Sequence, residues 1–482
     1  MRSEARKTWR NHTGNQAVEP LRICWPETLE DLVGIVAEAR RLGVTARAVG
    51  SGHSWSDVAL CTGIVAETTE LQRVLTLEAM ADDPGLIRVE AGMKVRKLNA
   101  ELARRGRALE NIGGYDGQSI AGVISTATHG SGLRFGPLSD LVRSLDVVAG
   151  DGSVRRIEPA GGPTDPAELA TLHPGWRLHQ DDEWFRAAAA GIGCLGLIYA
   201  VTLAVVPAFE LTERRVATTW EHIREELADV ERLRAHRHYE VYLSPYAGRH
   251  GHRALVTTRE PPSGERGSRH RNRLLELFAA RRVTYKAINL VTDLFPRLTP
   301  RLLDMAIGGL ERKAYTNDSH KVFNIGAANA ALAYSSEIGV PVDARGLHLQ
   351  AVERIIELAE RRRGAGGAQH TAPIALRFVR ATDVHLAMMH RRDTMMIELI
   401  LLTDTEGGYE LLASYEDALY DLEGRPHWGQ VNTLTGSHDF LRSGGMYPDS
   451  YDRWQAIRAQ LDPDDVFGNP FAKRVGLTRA RE

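Results

Sequence analysis

Apolar residues recur at Leu29, Leu32, Val33, Val36 and Ala37, directly after Pro26-Glu27-Thr28. That spacing marks one face of a helix behind a start signal and predicts a helix over 25–43. Residues 45–50 (TARAVG) then read as a strand running into a glycine turn. Further short strands are predicted at 62–67, 85–91 and 145–149, the last followed by Gly150-Asp151-Gly152. Residues 187–209 carry no charge, which is long enough to cross a bilayer. Gly191, Gly193 and Gly196 would break a spanning helix, however, and Leu197 to Val206 is rich in strand formers. The stretch therefore reads as a helix end, a tight glycine turn and a buried strand.

Past about residue 210 the pattern changes. Helical stretches rich in Arg and Glu are predicted at 219–235, 270–280 and 347–363, with a polar Pro/Gly-rich loop at 259–271 and a second loop at 364–369. Strand-like runs follow at 373–380 and 395–402. Short strands with interspersed helices give an α+β fold, with a second domain from about 210 to 420.

Composition narrows the function classes. The chain has 482 residues, 43% hydrophobic and 25% charged, with a net charge of −2. A large core needs no disulfide or metal support, and near-neutral charge gives no attraction for nucleic acid or an anionic membrane. The three cysteines form no C-x-x-C pair, so no metal site is expected. Sparse cysteine and a charged N-terminus without an apolar core point to a cytoplasmic setting. Asn11-His12-Thr13 matches a glycosylation sequon and reads as chance in that setting.

Four motifs carry candidate chemistry. The first strand ends in Gly50-Ser51-Gly52-His53-Ser54, where glycines let backbone N–H groups approach an anion and the serines add donors, as a pyrophosphate requires. The segment from Asn111 to Gly132 is dominated by small and hydroxyl residues, which suits wrapping a polar cofactor. The third motif is the glycine turn Gly191 to Ile198, and the fourth pairs Pro426-His427-Trp428-Gly429-Gln430 with Asp462-Pro463-Asp464-Asp465-Val466-Phe467.

Together, in this order, the four motifs resemble the FAD-linked oxidoreductases of the vanillyl-alcohol oxidase superfamily, in the branch of aldonolactone and alditol oxidases. The resemblance is strong at both ends and weak between about 210 and 370. It implies a PCMH-type FAD-binding domain of two α/β subdomains over 1–210 and a substrate (cap) domain over 211–420, its antiparallel sheet flanked by helices. Residues 421–482 would then return to the FAD-binding domain. It implies FAD held covalently through His53, with Gly50, Ser51, Gly52 and Ser54 at the pyrophosphate. Gly114, Ser119, Gly122, Thr126, His129, Gly130 and Ser131 match the second cofactor segment, Gly196 and Ile198 the third, and Trp428 the aromatic motif. Gly113 matches a position beside the flavin where glycine admits oxygen.

The chain departs from that family in its pocket. Ala375 stands where a carboxylate is frequent, two residues before the retained Arg377, and Gln430 stands for a lysine. Glu398 occupies a frequent histidine position inside the apolar run MMIELILL, so it needs a partner, and Arg377 is the natural one. Glu337 matches a pocket glutamate, and Lys321 matches the family without an assigned role. The resemblance thus implies hydride transfer from a CH–OH group of a polyol, sugar or sugar lactone to flavin, with oxygen as acceptor. Glu398, Glu337 and His427 are candidate bases, with Arg377 and Gln430 beside them. The altered residues keep two alternatives open: a tailoring oxidase of a larger natural product or nucleoside, and a dehydrogenase passing electrons to a partner carrier.

Overall fold

The computed structural model describes residues 1–249, 251–262, 292, 295–325, 333–435 and 445–478. The helix expected over 270–280 and most of the loop expected over 259–271 lie outside them.

The N-terminal half is built on two sheets. Strands β1 (Arg2–Ala5), β2 (Arg22–Trp25), β3 (Ala46–Val49) and β4 (Ile64–Glu67) form a four-stranded sheet in the order β1-β2-β4-β3. Helix α1 (Leu29–Leu42) lies between β2 and β3 in sequence. Thr28 caps it by accepting from the Asp31 N–H, and Gly43 closes it in the left-handed conformation (φ 66°). Its predicted apolar face is buried at Leu32 and Val36.

The second sheet contains β5 (Val74–Leu75), β6 (Leu86–Glu90), β7 (Val142–Val148), β8 (Val154–Glu158), β9 (Arg177–Gln180) and β10 (Leu197–Ala204), in the order β9-β8-β7-β10-β6-β5. The uncharged stretch resolves as expected: α2 (Asp182–Ala188) ends before the glycines, and β10 follows as a central strand. Among the described residues no helix is long and apolar enough to cross a membrane.

The other half is one eight-stranded antiparallel sheet. Its strands are β11 (Glu210–Thr219), β12 (His238–Gly248), β13 (Gly251–Glu260), β14 (Arg312–Asp318), β15 (Ala333–Pro341), β16 (Ile374–Val379), β17 (Thr394–Leu402) and β18 (Arg425–Pro426). They are ordered β14-β11-β13-β12-β16-β17-β15-β18. The helix expected over 219–235 is two helices, Trp220–Ala228 and Val230–Ala235, because Asp229 leaves helical geometry and its carboxylate caps the second by accepting from the Arg232 N–H. Helix α3 (Thr299–Gly308) packs near β12, and α4 (Leu347–Gly364) and α5 (Gly408–Tyr420) cover a sheet face with Ile355, Leu411 and Tyr415.

The C-terminal residues return to the first sheet. The Ala46 N–H donates to the Val466 carbonyl at 2.8 Å, and Asn469 Nδ2 donates to the Val58 and Leu60 carbonyls at 3.0 and 2.9 Å. Arg47 is buried and donates to the carbonyls of Val58, Ile192, Gly193 and Phe467, joining three distant segments at one guanidinium.

Candidate active site

A cavity of about 870 Å³ lies where the two halves meet, within the roughly 300–1,000 Å³ usual for ligand sites. The glycine-serine turn of residues 50–54 forms one wall, and the end of β3 sets its position. The N–H groups of Ser51, Gly52, His53 and Ser54 find no acceptor among the described residues, so four successive donors in the cavity wall are available to an anion. At Gly50 a Cβ would stand 2.0 Å from Ser119 Oγ, so only glycine lets the turn and the second segment approach this closely. These two features fit a pyrophosphate-bearing cofactor such as FAD.

His53 also lines the cavity. Its ring stacks on Tyr115 at 4.2 Å between centroids and lies 5.1 Å from His12. Burial, helped by the charge of His12, lowers its pKa to about 4. The imidazole is therefore neutral near pH 7, with a free lone pair. Asn11 of the sequon is structural: its Nδ2 donates to Asn15 Oδ1 at 2.6 Å and to the Ser54 carbonyl at 2.9 Å.

The opposite wall is the large sheet. Arg377 on β16 donates through Nη1 to Glu398 Oε2 at 2.6 Å and through Nε to Glu240 Oε1 at 3.0 Å, so the Arg377–Glu398 pair expected from the sequence is present. Glu337 on β15 lies directly opposite Glu398 in the register. Its Oε1 is 3.4 Å from His129 Nε2 and 3.5 Å from Arg377 Nη1. Burial pushes the Glu337 carboxyl up, but its interactions with His129 and with the Arg377 guanidinium outweigh burial and hold it below the ordinary range. Ser335 Oγ lies 2.7 Å from Gln430 Oε1 and 3.2 Å from Glu398 Oε1, so the two oxygens compete for its single proton.

His427 is neutral, its pKa lowered to about 4 chiefly by burial. The Gly429 N–H donates to its Nδ1 at 3.0 Å, so in that neutral form the proton sits on Nε2. In that form this nitrogen is a hydrogen-bond donor.

The charged cluster continues away from the cavity. Glu240 also accepts from Arg259 Nη1 at 3.1 Å, Arg259 Nε pairs with Glu213 at 3.1 Å, and Glu213 pairs with Arg215 at 2.9 Å. All four are buried. Despite burial, Arg259 and Arg377 hold the Glu240 carboxyl down to about 2.

Three expected cofactor residues are not in the cavity wall. Trp428 is fully buried in the core and donates through Nε1 to the Leu386 carbonyl at 2.6 Å. It follows cavity-lining His427 in a turn in which the Gln430 N–H donates to the His427 carbonyl at 3.1 Å. Ser131 ties the second segment to the sheet: its hydroxyl donates to the Tyr239 carbonyl and accepts from the Phe378 N–H at 3.1 Å. Gly130 packs against Asn111 and the Ile112 carbonyl. The remaining expected site residues all line the cavity. Lys321 is exposed and pairs with Asp318 at 2.6 Å.

The sequence patterns do not single out Tyr115, Tyr242 or Glu240. The run HYEVYLS around Glu240 alternates in a way that equally suits a solvated face, and only its buried arginine partners identify it. Among the described residues no cluster of His, Cys, Asp and Glu could hold a metal ion.

Comparison with known proteins gives consistent matches. Residues 201–475 match the family model of D-arabinono-1,4-lactone oxidase, and residues 20–158 match an FAD binding domain. The chain is 34% identical to an L-gulono-1,4-lactone dehydrogenase of Mycobacterium tuberculosis over 97% of this chain and 98% of the relative. It is 25% identical to the L-gulonolactone oxidase of Bos taurus over 93% and 94% of the two chains. Among solved structures, cholesterol oxidase from B. sterolicum superposes with a TM-score of 0.76 at 16% identity, covering 98% of this chain and 97% of that one, a likeness of fold.

Proposed function

The chain belongs to the D-arabinono-1,4-lactone oxidase family, and from that premise we propose how its residues oxidise a sugar lactone and where the flavin is attached. It is an FAD-dependent oxidoreductase acting on the CH–OH group of a sugar lactone. One observation carries the proposed site: a single cavity joins the unpaired amides of residues 51–54 to the Arg377–Glu398–Glu337 cluster. Bound FAD supplies a hydride acceptor at N5.

Glu398 takes the hydroxyl proton. It lines the cavity beside Arg377, which donates to its Oε2 at 2.6 Å, and it faces Glu337 across the strand register. The Arg377 guanidinium steadies the negative charge that develops on the substrate oxygen, and His427 Nε2–H donates to the same oxygen. Residues 1–210 with 421–482 form the flavin-holding part, and 211–420 form the cap.

His53 would hold the flavin covalently. A neutral, buried imidazole stacked on Tyr115 offers the free nitrogen lone pair that bonding to the flavin 8α-methyl carbon requires. Oxygen reoxidises the flavin, supported by Gly113, where a Cβ would meet only the His129 carbonyl at 3.2 Å within the protein. The dehydrogenase named in Mycobacterium tuberculosis favours a second reading, in which another acceptor takes the electrons. Anaerobic mixing of the holoprotein with aldonolactones should bleach the flavin, and bleaching by none of them overturns the lactone assignment. Mixing the reduced protein with oxygen then separates the two acceptors.

A further inference from the structure

The sheet wall changes character along its strands. Side chains two residues apart share a face, so Glu337, Ser335 and Ala333 of β15 point one way, as do Glu398, Ile400 and Leu402 of β17. The register pairs them in rungs: Glu337 with Glu398, Ser335 with Ile400, and Ala333 with Leu402. Ala375 on β16, buried and opposite Glu398, places a methyl group where a carboxylate would fit the chemistry of a polyol. Two rungs past the carboxylates, roughly 13 Å along the strand, the wall is Ala333 and Leu402.

Leu302 and Leu303 of α3, and Leu310 just beyond that helix, also line the cavity. Met305, 73% exposed, and Ala306 mark the side open to solvent. The polar groups at this end are mostly engaged within the protein. Thr371 Oγ1 bonds Thr405 Oγ1 at 3.1 Å and accepts from the Leu402 N–H at 3.0 Å. Thr299 Oγ1 is buried with no hydrogen-bond partner among the described residues.

A lactone bearing oxygen on nearly every carbon would desolvate hydroxyls against this wall without replacing their hydrogen bonds. We propose that the donor is amphipathic: an oxidisable hydroxyl-bearing head at Glu398 and Arg377, and a hydrocarbon or aryl tail in the arm lined by Ile400, Leu402, Ala333, Leu302 and Leu310. The proposal rests on the site assignment above and names the class of donor that site takes.

The test compares two donors on the holoenzyme: a 1,4-lactone sugar, and the same lactone carrying an octyl ether on its exocyclic hydroxyl. Burial of a few methylenes favours the ether, with kcat/KM at least tenfold higher. Leu302→Gln, on the half-buried side of α3, brings the ratio toward one while flavin content and melting temperature report an intact fold. A wild-type ratio of one or less overturns the amphipathic donor and leaves the lactone assignment standing. If neither donor bleaches the flavin, the lactone assignment falls on its own, and the arm is read by titrating the flavin absorbance. There the ether should saturate at a concentration at least tenfold below the parent lactone, and equal or absent perturbation by the two overturns the arm.

Discussion

Glu398→Gln separates the proton-accepting role from the structural role of the charged cluster. Glutamine keeps the shape of the side chain and its reach to Ser335, but it cannot accept a proton at neutral pH. Arg377 retains Glu240 at 3.0 Å and Glu337 at 3.5 Å, so the guanidinium stays in place. The fold should therefore hold, with flavin content and melting temperature close to wild type. Positioned general bases contribute a hundredfold to ten-thousandfold, so the rate of anaerobic flavin bleaching should fall by that factor, about 3–5 kcal/mol in barrier. Glu337→Gln should behave differently. It removes the carboxylate set 3.4 Å from the buried His129 Nε2, and the loss of that buried polar contact costs on the order of 2 kcal/mol of stability. The assay is stopped-flow bleaching by a saturating lactone, with thermal melting of each variant alongside. A Glu398→Gln rate within threefold of wild type would refute the assignment, and if Glu337→Gln alone lost the rate without losing stability, the base would be Glu337.

Three more outcomes are expected. His53→Ala should release its flavin on acid denaturation, whereas wild type keeps fluorescence on the chain, and retention by the variant would exclude this attachment. Gly113→Ala should slow reoxidation by oxygen tenfold or more with little change in bleaching by substrate, because the added methyl occupies the cavity 3.2 Å from the His129 carbonyl. Glu240, held to about 2 in the fold against an ordinary 4.5, contributes stability that is full above pH 4.5 and is lost as pH falls toward 2. Glu240→Gln should lower stability near neutrality by about 3 kcal/mol and flatten that acid loss, as followed by urea unfolding across the pH range. An unchanged acid profile would exclude Glu240 from the buried network.

The local elements were largely legible because local signals encode them. Thr28 and Gly43 bound the first helix by capping chemistry, and the glycines after Ala190 end a helix that composition alone would extend across a bilayer. The order of the eight-stranded sheet was not, since each strand announces its own alternation but not its partner. The same limit applies to the site. Glu398 stood out because a carboxylate inside MMIELILL needs compensation, while Glu240 lay in a run that reads equally well as exposed. For a related reason the sequence does not show that the Trp428 indole packs in the core against the Leu386 carbonyl while its neighbour His427 lines the cavity.

The row of alternating Arg and Glu across β11, β13, β12, β16 and β17 also constrains how this protein can diverge. Each inner member, such as Glu240 or Arg259, neutralises two neighbours, so single replacements there are strongly destabilising and tolerable changes must arrive in compensating pairs. Ile400, Leu402 and Ala333 bear no such mutual dependence and can exchange one at a time. Descendants of this sequence should therefore hold the reacting end constant while drifting freely at the far end. New donors would be acquired by remodelling the tail-facing positions, with the chemistry inherited unchanged.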